Sequence, residues 1–305
     1  MTDGPGTDQT HREHAPADRT ETQPAGDDRA RRAHVLVIGG GVMGGTLVEA
    51  LLQAGWPARD VEVVERDEVR AEELRRRLGV LTATSSEHAG ARADVVLVAV
   101  KPDVVADVLA AIGPALRGGV PVISVAAGLP IAFYEQRLPA GTPVVRVMPN
   151  TPAVVGKGAA ALAAGSAATE RHLALAETIL APTGLVVRVP EKQLDAVTAI
   201  SGSGPAYAFY LIDAMAEAGV LLGLPRDLAT RLAVATVEGS GALAARTGDH
   251  PAVLRERVSS PGGTTVAAVA QLDAHAVRAG VVAAARAAYD RSRELGAAQS
   301  AKPRH

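Results

Sequence analysis

Up to about residue 190, short apolar segments alternate along the chain with longer segments of mixed apolar and polar residues. Short continuous apolar runs, bounded by glycine, proline or charged residues, are typical of strands buried on both faces of a parallel sheet. Such strands are predicted at residues 34–38, 61–64, 94–100, 120–125, 144–148, 158–163 and 185–189. Helices are predicted among them at residues 46–54, 68–78 and 104–112. This alternation predicts an α/β fold in which right-handed crossovers connect the strands of a parallel sheet.

The pattern changes beyond Glu191, where no run resembles a strand. Segments rich in Ala and Leu at 206–222, 226–246 and 273–295 predict long helices. Many of their turns are apolar around most of the circumference, as at 229–237. A helix with so wide an apolar surface must be covered on several sides. Because this region is short, we expect a second subunit to provide part of that cover, as in a homo-oligomer.

Composition excludes several classes of function. The 31 Lys and Arg residues nearly balance the 33 Asp and Glu residues, for a net charge of −2, which argues against a nucleic-acid-binding protein. The absence of cysteine excludes disulfides, thiolate nucleophiles and Cys-ligated metals. The eight histidines show no H-E-x-x-H spacing, so no metal site is expected.

The longest uncharged runs do not predict a membrane span. Glycine and proline interrupt the runs at 118–134 and 196–212, whereas a spanning helix needs about 20 mainly apolar residues. Residues 1–32 contain no Val, Ile, Leu, Phe, Trp or Tyr, and therefore no apolar signal segment. We accordingly expect no membrane partner and a cytoplasmic protein.

A glycine-rich segment directly follows the first predicted strand and opens a helix. It consists of Gly39, Gly40, Gly41, Val42, Met43 and Gly44. In such a G-x-G-x-x-G pattern the first glycine permits a tight turn, the second admits a pyrophosphate, and the third lets the helix pack on the sheet. The helix N-terminus adds free N–H groups that favour a phosphate. The segment therefore predicts dinucleotide binding.

The second strand ends at Glu65 and Arg66, where the cofactor ribose is expected. An acidic residue at this position binds the ribose 2′-hydroxyl of NAD, whereas an arginine accepts the 2′-phosphate of NADP. The sequence contains both residue types, and the choice between NADPH and NADH stays open.

Two clusters of glycine and hydroxyl residues open helices in the later region, at 201–205 and 259–265. Backbone N–H groups, hydroxyls and a helix N-terminus together favour an anion. Serine and threonine also cap helices without any ligand. Two such clusters behind a dinucleotide fold favour a substrate that carries a carboxylate.

Six motifs in this order resemble the pyrroline-5-carboxylate reductase family over residues 34–295. They are GGGVMG at 39–44, AVKP at 99–102, RVMPNTP at 146–152, SGSGPAY at 201–207, LGLPRDLA at 222–229 and VSSPGGTT at 258–265. The resemblance implies an oxidoreductase that transfers a hydride from NADPH or NADH to the C=N bond of 1-pyrroline-5-carboxylate and forms L-proline. It also implies an interlocked dimer, which in some members assembles into a ring of dimers.

The same resemblance implies roles for particular residues. The substrate would be bound by Glu191, Ser260, Gly262, Gly263, Thr264 and Thr265, and Thr265 would be the catalytic group that positions the ring nitrogen. Besides the glycine-rich segment, Glu65 and Arg66, the cofactor would contact Ser86, Ala99, Val100, Lys101, Pro102, Ala127 and Asn150.

These observations divide the chain into four segments. We expect a disordered tail at 1–32, a Rossmann-type dinucleotide-binding domain at 33–190, an all-α substrate and dimerisation domain at 191–296, and a frayed tail at 297–305.

Two other functions are compatible with this domain layout. A β-hydroxyacid dehydrogenase shares the layout but uses a catalytic lysine in its second lobe, where this chain has only Lys192, at the very start. A non-catalytic NAD(P)-binding regulator would keep the glycine-rich segment and lose the SPGGTT turn, which is intact here.

Overall fold

The N-terminal part of the chain forms one eight-stranded sheet in a computed structural model that describes residues 33–86 and 89–300. The predicted tail at 1–32 lies outside the described residues. The spatial order of the strands is β3-β2-β1-β4-β5-β6-β7-β8. They are Val35–Ile38 (β1), Val61–Val64 (β2), Leu81–Ala83 (β3), Val95–Val98 (β4), Val122–Ser124 (β5), Val144–Met148 (β6), Gly158–Ala164 (β7) and Gly184–Arg188 (β8).

The sheet is parallel except at one pair of strands. β6 and β7 are antiparallel, with Met148 opposite Ala161, where a wholly parallel sheet was predicted. Residues 149–157, which contain the 3₁₀ helix Thr151–Val155, connect these strands, whereas a parallel connection needs a crossover of a dozen or more residues. The chain therefore returns beside β6 in the opposite direction. The short strand β3 at the sheet edge was not predicted.

Helices cover both faces of the sheet. They are Val42–Gln53 (α1), Glu68–Leu78 (α2), Val105–Ile112 (α3), Ile131–Glu135 (α4) and Glu170–Leu180 (α5). Alternate residues of β1 enter two separate cores: Val37 packs in the core that contains Leu47, and Leu36 in the core that contains Leu109. Burial on both faces explains why β1 is a continuous apolar run.

Among the described residues, the region after Glu191 contains helices and their connections and no strand. Its helices are Leu194–Val197 (α6), Gly204–Leu221 (α7), Arg226–Thr247 (α8), Pro251–Arg257 (α9), Thr264–Ala274 (α10) and Val277–Ser300 (α11), with a π-helical turn at 198–202 between α6 and α7. The predicted fold class, an α/β Rossmann-type domain followed by an all-α domain, is confirmed.

The helix predicted at 273–295 is divided in the structure. The chain turns between α10 and α11 at Ala276, whose φ of 53° is unusual for a residue other than glycine. The last helix then continues to Ser300, into the predicted frayed segment at 297–305. Residues 301–305 of that segment lie outside the described part of the chain.

A few small residues of the helical region are buried, whereas many of its large apolar side chains are exposed. Ala216 of α7 and Ala229 and Ala233 of α8 are buried where these two helices pack together. In contrast, Tyr210 is 81% exposed and Leu222 is 86% exposed. An apolar surface of this kind marks an interaction site. It agrees with the expected second subunit.

Within residues 33–86 and 89–300, no single helix has both the length and the apolar character to cross a membrane. α10 and α11 meet that criterion only together, across a bend of 51°.

Candidate active site

The glycine-rich turn after β1 has a shape that only glycine permits at two positions. Gly39 has a φ of 100°, and a Cβ atom there would lie 2.7 Å from the carbonyl oxygen of Ala99. A Cβ atom on Gly44 would lie 1.8 Å from the carbonyl oxygen of Gly39. The turn therefore lies directly between β4 and the first turn of α1.

Gly41 faces open space above the N-terminus of α1. A Cβ atom on Gly41 would meet no atom within 4 Å. Gly41 is also the N-cap of α1, which has no side-chain cap and no acidic residue in its first turn. The first N–H groups of the helix thus remain available to an anion. This geometry fits the pyrophosphate of a dinucleotide.

A cavity of about 650 Å³ opens beside this turn. It lies at the carboxyl ends of β1, β2 and β4, where β1 has β2 on one side and β4 on the other. The strand order reverses at this point, and open α/β sheets bind their ligands at such a position. The lining residues are Ile38, Gly39, Gly41, Val64, Glu65, Arg66, Arg70, Thr84, Ser85, Ser86, Ala99, Val100, Lys101, Asp103, Val104, Asp107, Val108 and Ala111.

Most of the residues predicted to bind the cofactor line this cavity. They are Gly39, Gly41, Glu65, Arg66, Ser86, Ala99, Val100 and Lys101. Sequence reasoning did not single out Arg70, Thr84, Ser85, Asp103 and Asp107, which also line it. Arg70 lies in the first turn of α2, four residues after Arg66, and its closeness in sequence to the end of β2 is a signal that could have identified it.

Five other predicted cofactor residues surround the cavity without lining it. Gly40 and Gly44 are buried beneath the turn, and Met43 packs into the core. Val42 is 80% exposed at the start of α1. Pro102 opens a 3₁₀ turn after β4. Their contribution is therefore to the shape of the turn and its neighbours, and their contact with the cofactor stays a prediction.

Ala127 is exposed in the loop between β5 and α4. A hydrogen bond at the base of this loop joins the Ser124 and Tyr134 hydroxyls, 2.6 Å apart, and the Ser124 oxygen also accepts from the Ala126 N–H. Burial raises the pKa of Tyr134 to about 12, although the bond to Ser124 and the charge of Arg146 oppose the shift. The neutral pair holds the loop at the carboxyl end of β5.

The Asn150 side chain connects two motifs of the sequence. Its Nδ2 donates to the carbonyl oxygen of Ser201 at 3.0 Å, and its Oδ1 accepts from the N–H of Ala159 at 2.7 Å. Both ends of the amide therefore bind backbone groups. The structure places Asn150 as a link between the sheet and the π-helical turn before α7, and its predicted contact with the cofactor stays a prediction.

Glu65 has its carboxylate turned toward the glycine-rich segment. It is buried, and its Oε2 accepts from the Gly40 N–H at 2.9 Å and from Nη1 of Arg70 at 3.3 Å. Its Oε1 accepts from the Asp67 N–H at 3.0 Å. Glu65 thus holds the turn on one side and the start of α2 on the other.

The predicted substrate turn precedes α10 in the helical region. Gly262 has a φ of 69°, and the Gly263 N–H donates to the carbonyl oxygen of Ser260 at 2.9 Å. Gly263 is the N-cap of α10 and provides no side-chain cap. Among the described residues, the hydroxyls of Thr264 and Thr265 make no hydrogen bond to the protein. The turn thus presents N–H groups and hydroxyls that suit a carboxylate.

The substrate turn and the cofactor cavity are separate in the single chain. Every residue that lines the cavity lies between Ile38 and Ala111. Glu191, also predicted to bind substrate, lies at the start of the helical region. Its Oε1 accepts from the Ile131 N–H at 2.6 Å and from Nη1 of Arg146 at 3.0 Å. These contacts tie the helical region to α4 and β6.

No group of three or more His, Cys, Asp or Glu side chains that could hold a metal ion occurs in the part of the chain that the structure describes.

Comparisons with known families and proteins agree with this geometry. The family model described as pyrroline-5-carboxylate reductase dimerisation matches residues 191–295. A second model, described as NADP oxidoreductase coenzyme F420-dependent, matches residues 34–128.

Relatives in several organisms are similar over nearly their whole length. The chain is 45% identical to a pyrroline-5-carboxylate reductase of Corynebacterium melassecola, over 86% of this chain and 98% of the relative. A Coxiella burnetii pyrroline-5-carboxylate reductase structure has a TM-score of 0.83 at 34% identity, covering 87% of this chain and 98% of that one. A Plasmodium falciparum pyrroline carboxylate reductase with NADP bound has a TM-score of 0.77 at 28% identity, covering 87% and 99%. The resemblance seen in the sequence is therefore confirmed, and the chain belongs to the pyrroline-5-carboxylate reductase family.

Proposed function

We propose that this chain reduces the C=N bond of 1-pyrroline-5-carboxylate to give L-proline, with NADPH or NADH as the reductant. The similarity to pyrroline-5-carboxylate reductases over nearly their full length carries the choice of substrate. The cavity beside the glycine-rich turn supports the choice of cofactor, since its position and free helix N–H groups suit a dinucleotide. Neither alternative explains the SPGGTT turn and the dimerisation match together.

The glycine-rich turn and α1 would hold the cofactor diphosphate. Gly41 leaves room for the phosphates, and the N-terminus of α1 supplies N–H donors and the positive end of the helix dipole. Lys101 lies at the exposed rim of the same cavity and adds a positive charge. When bound, the reduced nicotinamide supplies the hydride.

The turn before α10 would hold the substrate. The N–H group of Gly262 and the hydroxyls of Ser260, Thr264 and Thr265 can bind a carboxylate without adding a charge next to the iminium. The Gly263 N–H donates within the turn to the Ser260 carbonyl oxygen and holds its shape. A protonated imine is already electrophilic, so placement at a short distance from the hydride donor provides much of the catalysis. Thr265 would orient the ring nitrogen.

Glu191 has a place in this scheme as a predicted substrate residue. Its Oε1 already has two partners, and its side chain is 34% exposed. Oε2 is therefore the oxygen of Glu191 that could bind a substrate.

The proposed reaction is tested with the purified chain and 1-pyrroline-5-carboxylate. Oxidation of NADPH and of NADH is followed in parallel, and proline is measured as the product. A panel of 3-hydroxy acids with the oxidised cofactors serves as the control. Turnover of the hydroxy acids without turnover of the imine would favour the dehydrogenase alternative, and cofactor binding without any turnover would favour the regulator.

Thr265→Ala tests the role of the hydroxyl. We expect kcat/KM for the imine to fall by about tenfold or more, because a hydrogen bond that positions the substrate is lost, while the Kd for NADPH stays constant. Thr265→Ser keeps the hydroxyl and should retain most of the activity. An unchanged kcat/KM in Thr265→Ala would remove this residue from the mechanism.

The domain boundaries, the assembly and the compartment are proposed on the same basis. β8 ends at Arg188 and the dimerisation match begins at residue 191, which supports domains at 33–190 and 191–296. The family resemblance supports a dimer that can assemble into a ring of dimers, which light scattering on the purified protein would test. It also supports a cytoplasmic enzyme, which cell fractionation would test.

A further inference from the structure

The loop between β5 and α4, residues 125–130, continues the sheet edge at which the cofactor cavity opens. The Val125 N–H donates to the carbonyl oxygen of Val98 at 3.0 Å, so the loop begins directly beside the end of β4. In a dinucleotide fold the adenosine ribose lies at the end of the second strand and the diphosphate at the first turn. The nicotinamide half then extends past β4 toward β5. The exposed Ala127 of this loop is accordingly expected beside the ring.

Two residues of the helical region hold this loop. At its tip, Gly128 has a φ of 79°, and a Cβ atom on Gly296 of α11 would lie 3.4 Å from the carbonyl oxygen of Gly128. The two backbones are therefore in close contact. Directly after the loop, the Ile131 N–H donates to Oε1 of Glu191 at 2.6 Å. The position of the loop thus depends on how the helical region docks on the sheet.

The bond to Glu191 satisfies a group that the loop leaves without a partner. Ile131 provides the first N–H of α4, and the first N–H groups of a helix have no acceptor within it. Pro130, the N-cap, has no side-chain acceptor to offer. The carboxylate of Glu191 takes that place and fixes the end of the loop.

Arg146 of β6 holds the same carboxylate oxygen from a second direction. Its Nη1 lies 3.0 Å from Oε1 of Glu191, and its side chain is only 13% exposed. Val144 and Met148 point to the same face of β6 and pack in the apolar core there. A guanidinium in such surroundings needs a partner. Among the described residues, Glu191 is the one hydrogen-bond partner of the Arg146 side chain.

The contribution of this pair is direction more than stability. An ion pair that is largely withdrawn from water often stabilises a protein no more than apolar residues of the same volume, since both charges lose hydration. Two donors on one oxygen, Nη1 of Arg146 and the Ile131 N–H, instead give the Glu191 carboxylate a single orientation.

We propose that Arg146 is a positioning residue for hydride transfer, which orients Glu191 so that its carboxylate fixes the loop at 125–130 against the nicotinamide ring. This inference rests on the proposed function, because it concerns the geometry of that reaction. A misplacement of about 1 Å, even by a change far from the reacting atoms, can cost about a hundredfold in rate. Arg146 therefore affects the reaction without touching cofactor or substrate.

The first measurement is the reduction of the imine by Arg146→Met with the preferred reduced cofactor. We expect kcat to fall by about tenfold or more, because the ring is no longer held at reacting distance. The Kd for the matching ADP-ribose, with or without its 2′-phosphate, should change by less than about twofold, since this probe lacks the nicotinamide. A general loss of structure would weaken the binding of that probe as well.

Two further variants complete this measurement. Arg146→Lys keeps the charge and one donor, and because Arg146 uses only Nη1, kcat should stay within about threefold of the wild type. The matched control is Arg188→Met, since Arg188 also pairs with glutamates, Glu170 and Glu177, but lies on β8 at the far edge of the sheet. It should leave kcat unchanged.

The second measurement needs no imine. The reduced nicotinamide ring is fluorescent, and its emission reports how much water surrounds it. The cofactor bound to the wild type should emit at a shorter wavelength than in water, and in Arg146→Met the emission should move back toward that in water. A chain that shows this shift and fails to reduce the imine contradicts the proposed function alone. A chain that reduces the imine, with kcat and emission unchanged in Arg146→Met, contradicts only the role of Arg146.

Three other results would also overturn the inference. They are a rise in KM for the imine with kcat unchanged, equally weakened binding of the cofactor and of the ADP-ribose probe, and an Arg146→Lys variant as slow as Arg146→Met. Should Arg146→Met not fold, the double variant Arg146→Met, Glu191→Leu removes both charges together, which proteins often tolerate. Its bound cofactor should emit as in water, and emission like that of the wild type would overturn the inference.

Discussion

Two adjacent glycines in α1 should respond oppositely to the same substitution. A Cβ atom on Gly44 would lie 1.8 Å from the carbonyl oxygen of Gly39, whereas close carbon–oxygen contacts are about 3.3 Å. The helix or the turn must therefore move by about 1.5 Å, against backbone that packs on β4. Overpacking of this kind costs about 3 kcal/mol, at the upper end of the usual range. Gly44→Ala should lower the Tm by roughly 6–12 °C, at the 2–4 °C per kcal/mol typical of a domain of about 150–250 residues.

Gly45→Ala provides the matched control. A Cβ atom there would lie 3.9 Å from the carbonyl oxygen of Gly40, an ordinary contact. Alanine is favoured over glycine inside a helix by up to about 1 kcal/mol, so the Tm should rise by about 2–4 °C. Differential scanning calorimetry measures both variants, and NADP⁺ titration should show weaker binding only in Gly44→Ala. Equal Tm values for Gly44→Ala and the wild type would refute the packing assigned to this turn, and so would a lower Tm in both variants.

Substitutions at three further sites, two of them with a control variant, test other contacts. The stabilising effect of Tyr134 should fall as the pH rises from 10 to about 12, by about 1.4 kcal/mol per pH unit, because burial disfavours the charged phenolate in the folded protein. Urea unfolding of Tyr134→Phe should lack that slope, and Tyr210→Phe, at an exposed site, should keep it. Ala276→Gly should stabilise the chain against urea unfolding by about 0.5–1 kcal/mol, because the φ of 53° at this position favours glycine. A lower urea concentration at the unfolding midpoint would contradict this. Glu191→Ala should cost about 1–3 kcal/mol because a guanidinium and an N–H lose their acceptor, and Glu191→Gln, which keeps an acceptor, should cost less in the same unfolding assay.

The sequence predicted the limits of an element correctly where residues at its two ends mark them. The helix at 68–78 was predicted with its observed limits, because Asp67 caps its first turn and Gly79 ends it at a φ of 69°. The direction of a strand has no such signal. β7 has the same apolar pattern in either direction, and only the short connection from β6 decides it. The bend at Ala276 likewise contains no glycine or proline that would predict it.

The same distinction applies to the site. Gly39 and Gly41 of the glycine-rich turn, Lys101 and Arg66 were predicted to be near the cofactor. All four line the cavity, because strand ends in a parallel sheet share one edge. Asn150 also follows a strand, yet both ends of its amide bind backbone groups. A polar residue at a strand end can serve a ligand or the protein, and the sequence does not distinguish the two. The Glu65–Arg70 pair depends on side-chain directions that no spacing rule specifies.

The exposed leucines and tyrosine of the helical region connect the stability of each chain to the amount of protein present. In a homo-oligomer that buries these side chains, much of the apolar burial takes place at association, and dilution should lower the unfolding temperature by mass action. A substitution that weakens a helix in one copy would then also lower the stability of the copy bound to it. In a cell that expresses both forms, mixed assemblies would share the defect.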